Sequence, residues 1–304
     1  MPWSGGANGR AQSIVALRSS EWLLIGYFSY VALITPLFPL DPQVKWLALA
    51  VLVLVASLLA ALAVAELYGS REIFSIVRDW IPLALTLIAY REMDWFSPLM
   101  RDYDLELRWV EWDRSLLYGA GLQRAIEWLG ALLPTYLEFC YLLVYAVGPI
   151  SVALLYGQRR RELVNYFLLF YLAGTLLAYA LLPYFPSDPP RTLFGESDLP
   201  NVITPMRRFN LWILRGYGIH SSVFPSAHVS SAFSAAWALF WLLPEKGKFG
   251  WMMLVYAVSV AVATIYGRYH YAADAVAGLG VSVIATLMIL PFVFRRPRRA
   301  RGLP

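Results

Sequence analysis

Residues 275–294 read Ala275-Val276-Ala277-Gly278-Leu279-Gly280-Val281-Ser282-Val283-Ile284-Ala285-Thr286-Leu287-Met288-Ile289-Leu290-Pro291-Phe292-Val293-Phe294, an unbroken run with no charge. A helix rises 1.5 Å per residue, so a run of about 20 residues matches the roughly 30 Å hydrocarbon layer of a bilayer. Asp274 precedes it, and Arg295, Arg296, Arg298, Arg299 and Arg301 follow as the basic flank of a membrane span. Working back along the chain, 22–40, 46–65, 132–156 (interrupted by Glu138), 163–183, 224–243 and 249–266 have the same character. A weaker candidate is 74–90, where Arg78 and Asp79 leave only Trp80 to Tyr90 uncharged. The pattern predicts an all-α integral membrane protein, a polytopic helical bundle of about eight transmembrane helices.

Composition agrees. Of 304 residues, 59% are hydrophobic and only 15% charged, too few charges to cover a soluble globule that carries 12 Trp, 19 Tyr and 16 Phe. The net charge of +5 is scattered except for the arginines behind the last span, so it marks a membrane flank and not a nucleic-acid surface. Cys140 is the only cysteine, which excludes an intrachain disulfide and a cysteine-based metal site. The first apolar run, Trp22 to Leu40, exceeds a signal core and lacks a small-residue cleavage pattern.

Eight spans place both termini on one side, and the positive-inside rule assigns that side to the cytoplasm. The tail 295–301, the loop 158–162, the linker 245–248 and the segment with Arg71 and Arg78 fall there; 91–131 and 184–223 fall outside. The expectation is a multi-pass protein of a bacterial plasma membrane. Within 101–131, Leu105, Leu107, Trp109, Val110, Trp112, Leu116 and Leu117 alternate with charges, an amphipathic pattern that fits an interfacial segment. Segment 184–223, rich in Pro186, Pro189, Pro190, Pro200 and Pro205, reads as the one long irregular stretch, a type often functional.

The three histidines, His220, His228 and His270, all lie near the outer face in this topology. His228 ends Phe224-Pro225-Ser226-Ala227-His228 at the start of a span, where free backbone N–H groups suit a phosphate; alternatively, Ser226 only caps the helix. His270 and Asp274 stand four apart, so the carboxylate can hold one ring nitrogen and leave the other as a nucleophile. Asp274 also opens an uncharged run, where an acid needs a partner, although the helix dipole favours an acid there independently. Arg191, in Ser187-Asp188-Pro189-Pro190-Arg191, offers a planar charged fork to a phosphoryl group. Glu138 reads either as a relay or as an acid hydrogen-bonded to a neighbouring Tyr or Ser. His220 reads as a solvated loop histidine, and nothing resembles a nucleotide loop or a zinc site.

With these motifs in this order, residues 110–294 resemble the type 2 phosphatidic acid phosphatase superfamily of membrane lipid phosphatases and phosphotransferases. The resemblance implies a six-helix core over 71–294, including interfacial segment 101–131. Residues 1–70 would then add two helices, and 295–304 would form a basic cytoplasmic tail. It implies His270 as nucleophile forming a phosphohistidine, Asp274 as its orienting partner and His228 as acid to the leaving group. Arg191, the backbone around Ser226 and, as a substitute for a displaced family arginine, Arg268 would bind phosphate. No metal or cofactor is implied. The family lysine before the arginine is Tyr184 here, Pro190 precedes Arg191 instead of following it, and Thr264 stands where an arginine is usual; the Pro-Pro-Arg form, Phe-Pro-Ser-x-His and Gly-x-x-His-Tyr resemble the inositol phosphorylceramide synthase-like branch. The expected function is a lipid phosphate phosphatase working at the extracytoplasmic face, with head-group phosphotransfer as the alternative and a non-catalytic transporter or scaffold as a further one. The partner is a lipid phosphate or phospholipid in the membrane, not nucleic acid.

Overall fold

The computed structural model describes residues 16–97 and 102–294, and every regular element among them is a helix. The N-terminal part comprises α1 (Ser19–Ile34), α2 (Pro42–Tyr68) and α3 (Arg71–Glu92), followed by the short α4 (Asp104–Arg114) and α5 (Leu122–Glu127). Then come α6 (Leu132–Leu143), α7 (Val147–Gly157), α8 (Val164–Leu181), the single turn α9 (Pro190–Leu193), α10 (Pro205–Tyr217), α11 (Ala227–Leu242), α12 (Gly247–Tyr266) and α13 (Ala272–Phe294). Asp41 starts α2 by accepting the Gln43 N–H at 2.7 Å, with Pro42 at the first helical position where no N–H is needed.

Seven helical stretches are long and apolar enough to cross a membrane: Ser19–Leu37, Pro42–Tyr68, Arg71–Phe96, Leu132–Gly157, Arg161–Tyr184, Pro244–Tyr266 and Ala272–Val293. The remaining expected span, 224–243, forms the 16-residue α11, shorter because Phe224, Pro225 and Ser226 at one end and Leu243 at the other stay outside the helix. The weak candidate 74–90 belongs to the third stretch, and its charges are neutralised locally. Arg78 pairs with Glu21 at 2.5 Å and Glu66 at 2.7 Å, while Asp79 accepts from Arg18 at 2.6 Å and Arg161 at 2.7 Å. A charge in a span is tolerable when paired in this way, and the pairing ties α1 and α2 to the core.

The centre of the bundle is α11, packed against α8, α12 and α13. Its small residues permit close approach, the usual basis of helix association in membranes. Ser230 donates to the Gly174 carbonyl at 2.9 Å and Trp237 to the Ser282 hydroxyl at 3.1 Å. Gly278 is needed on the facing side, since a Cβ there would collide with the Ser226 carbonyl oxygen.

Segment 184–223 departs from the irregular reading. It contains α10, thirteen residues started by Thr204, whose hydroxyl accepts from Arg207 N at 3.1 Å, with Pro205 at the first position. The proline that suggested irregularity is a helix start. In α4 two of the four acids, Glu106 and Asp113, are buried beside Val110, whereas Leu105, Leu107 and Trp112 are exposed. The expected cytoplasmic tail with its arginines, 295–304, lies outside the described residues.

Candidate active site

Three chain segments meet at one end of α11. The first is the turn between α12 and α13. Arg268 N donates to Ile265 O at 3.1 Å and Tyr269 N to Thr264 O at 2.9 Å, the paired bonds of a Schellman helix end. Arg268 occupies the left-handed position of that motif, φ 59°, where glycine is usual. Its buried guanidinium is held by Asp113 of α4 and, at 3.5 Å, by Asp198. Asp113 also accepts the Ala272 N–H at 2.8 Å and so caps α13 from a separate helix.

This turn presents His270. Its Nδ1 lies 2.9 Å from the Val223 carbonyl and 3.2 Å from Asp274 Oδ2, and Asp274 is fixed by the Tyr271 N–H at 3.0 Å. A carbonyl only accepts, so Nδ1 carries the hydrogen and Nε2 keeps its lone pair. Burial and the nearby Arg191 charge hold the His270 imidazole down to about 3, so it is neutral at ordinary pH.

The second segment is the start of α11. The Ser226 hydroxyl accepts the Val229 N–H at 3.4 Å, and its own N–H goes to the Asp274 carbonyl at 3.0 Å. His228, in the first turn of that helix, reaches the Tyr145 hydroxyl with Nε2 at 3.3 Å, and its ring centre lies 5.5 Å from that of His270. Third, Arg191 of α9 donates from its backbone to Arg268 O at 3.1 Å and from its guanidinium to Tyr269 O at 3.3 Å.

Arg191, His228 and His270 line a single cavity of about 50 Å³. It lies between two larger spaces that differ in polarity. On the His228 side is an apolar chamber of about 190 Å³ bounded by Leu83, Leu87, Val144 and Tyr171. On the Arg191 side is a vestibule of about 580 Å³, more polar than the chamber, where Ser187, Thr192, Arg215 and Ser222 stand among Leu193, Leu199 and Leu211.

Two residues expected to bind phosphate sit elsewhere. Arg268 points into its ion pair with Asp113 and is not among the residues lining the cavity. Ser226 is fully buried with hydroxyl and N–H both engaged, so the cap reading describes its contacts; the first-turn residues Ala227 and His228 are the ones that reach the cavity. His220 is an exposed loop residue with backbone and ring both directed at Asp94. Glu138 lies in a buried cluster with Arg207, Asn210 and Tyr269. Among the described residues no three of His, Cys, Asp and Glu gather as a metal would require.

The fold and site thus define a polytopic helical membrane protein with an imidazole pair and an arginine fork at one end of its bundle. Residues 110–288 match the PAP2 superfamily, a phosphatase-like family, and the chain belongs to it. It is also similar to a PA-phosphatase related-family protein of Dictyostelium discoideum, 25% identical over 137 residues. That match covers 40% of this chain and 22% of the relative, so the chain spans under a quarter of that protein's length. No solved structure matches the chain.

Proposed function

We propose that the protein is a lipid phosphate phosphatase that works through a phosphohistidine on His270. Nε2 attacks phosphorus, the P–O bond to the lipid breaks, and His228, which takes up the acidic proton of the phosphate monoanion as the substrate binds, gives that proton to the departing alkoxide. His228, now able to accept, takes a proton from water as the water oxygen attacks phosphorus, the P–N bond breaks, and inorganic phosphate leaves. Asp274 holds Nδ1–H and offsets the positive charge that grows on the ring, while Arg191 and the N–H groups opening α11 bind the phosphoryl oxygens. These donors suit an oxyanion directly, and the reaction proceeds without a metal. The site faces the extracytoplasmic side.

One observation carries this reading: His228 borders both the catalytic cavity and the apolar chamber, whereas Arg191 borders the cavity and the more polar vestibule. A leaving group protonated by His228 is therefore released beside apolar walls, as a lipid alcohol requires. The size of the vestibule favours a second reading, head-group transfer of the inositol phosphorylceramide synthase-like kind, because about 580 Å³ exceeds what one phosphate fills.

The test is purified protein in detergent and chelator, offered a panel of lipid phosphates and phospholipids, with free phosphate and new phospholipids both measured. Free phosphate from a lipid monoester, with an acid-labile phosphoenzyme absent in His270→Asn, supports the phosphatase. New phospholipid without free phosphate establishes transfer instead. Loss of activity in chelator that added Mg²⁺ restores would overturn the metal-free mechanism.

A further inference from the structure

Glu138 is 2% exposed and lies within a membrane-spanning stretch, where an unpaired carboxylate is untenable. It accepts three donors: Arg207 at 2.9 Å, Asn210 at 2.7 Å and the Tyr269 hydroxyl at 2.6 Å. Arg207, equally buried, sends the same nitrogen to the Gly267 carbonyl at 2.9 Å, inside the turn that presents His270. Two guanidiniums, those of Arg191 and Arg207, sit over the Tyr269 ring, each 5.5 Å from its centre.

The same stripe of the 132–157 span continues toward the other histidine. Residues 138, 141 and 145 follow the i, i+3, i+7 spacing of one helix face. Tyr141 stacks on Tyr269 at 3.9 Å on one side and on His228 at 4.9 Å on the other, both within 13° of parallel. Tyr145 meets the His228 Nε2. A column of rings therefore runs from Tyr269, next to His270, through Tyr141 to His228, and Glu138 anchors its first member.

We propose that Glu138 is a positioning residue: by gripping the Tyr269 hydroxyl and, through Arg207, the Gly267 carbonyl, it sets the place of His228 relative to His270. The proposal takes its functional meaning from the phosphohistidine reading above. Glu138 never touches substrate. It acts through the ring column, so its loss displaces the acid from the leaving oxygen, while Arg191 is still held by its backbone bond to the Arg268 carbonyl.

Tyr269→Phe removes one hydroxyl and keeps the ring, and Glu138→Gln keeps an acceptor but leaves Arg207 without its counter-charge. In both variants kcat on an alkyl lipid phosphate should fall by about tenfold or more with KM within about twofold, since roughly an ångström of misplacement is costly to a proton transfer. The loss on an activated aryl phosphate, which does not need the acid, should be smaller. Protein carrying isotope-labelled histidine gives a second readout independent of turnover. In the wild type the His228 ring signal, assigned by its disappearance in His228→Asn, should be displaced by the stacked Tyr141, and both variants should move it toward the ordinary position. An unmoved His228 signal, or equal losses on the two substrates, overturns the proposal. If the wild type turns over no phosphate ester, the phosphatase reading fails, and the ring signal alone decides whether Glu138 places His228.

Discussion

At the scale of single residues, the two arginines near His270 do different work despite their common charge. Arg191 faces the cavity, and on the proposed mechanism it stabilises the transferring phosphoryl group. Arg191→Ala should lower kcat/KM by about two orders of magnitude if the fork contributes about 3 kcal/mol to the transition state, and Arg191→Lys should restore it only in part, because a point charge lacks the bidentate geometry. Arg268→Ala instead leaves Asp113 buried without its partner, a change worth about 3–5 kcal/mol in comparable pairs, so it should lower the unfolding temperature and the yield of folded protein. Titration of Arg268→Ala that shows a stable fold with raised KM for phosphate would return Arg268 to the binding site. His270 adds a pH effect. Its imidazole is held to about 3 in the folded chain against an ordinary 6.5, so the unfolded state binds the extra proton first. Its contribution is complete above pH 6.5 and is lost as pH falls from there toward 3. Melting scans in detergent should show a steeper decline from neutral to acidic pH for the wild type than for His270→Asn; parallel declines would contradict it. The histidine pair and Arg191 are legible in the sequence because histidines are scarce and each sits beside a span. The contacts of Arg268 and Ser226 are not, since they depend on Asp113 and Asp274, which reach them from other elements. Tyr141 is equally hidden: an aromatic residue in an apolar run reads as packing until its neighbours on both faces are known.

At the scale of elements, uncharged runs near twenty residues announce themselves, whereas amphipathic pieces do not. Helix α10 hid among prolines because the signal that starts it, Thr204-Pro205, is also a loop signal. Two inward acids of α4, Glu106 and Asp113, hold the site while Leu105, Leu107 and Trp112 face outward. Such a helix suits an interface whose outer surroundings are lipid. Close packing of α11 on α13 yields a paired prediction. Gly278→Ala forces a methyl against the Ser226 carbonyl and should cost about 1–3 kcal/mol through overpacking. Gly280→Ala, with open space around its Cβ, should be neutral or slightly stabilising through helix propensity. Thermal unfolding of the two variants compares them directly, and equal midpoints would show that the α11–α13 contact is looser than described.

At the scale of the whole molecule, the chain has two chemically unlike ends joined by α8, which runs from the Arg161 cluster to the loop behind the site. At the first end Arg160 pairs with Glu245 at 2.8 Å and Lys246 with Gln158 at 2.7 Å, bringing together the two basic linkers that the positive-inside rule assigns to the cytoplasm. Cys140 is the sole cysteine and is buried, so introduced thiols can be read singly. An impermeant maleimide should label Thr192→Cys on right-side-out vesicles and Lys248→Cys only after the vesicles are opened; labelling of both from one side would break the proposed topology. The cavities at the second end have a consequence for traffic. On the proposed reading, the lipid alcohol and inorganic phosphate are formed at a seam, with an apolar door on one side and a wet one on the other. Each product departs by its own route, the lipid alcohol first into the bilayer, vacating the place beside His228 that the attacking water then takes, and inorganic phosphate second into solution, so neither obstructs the other's exit.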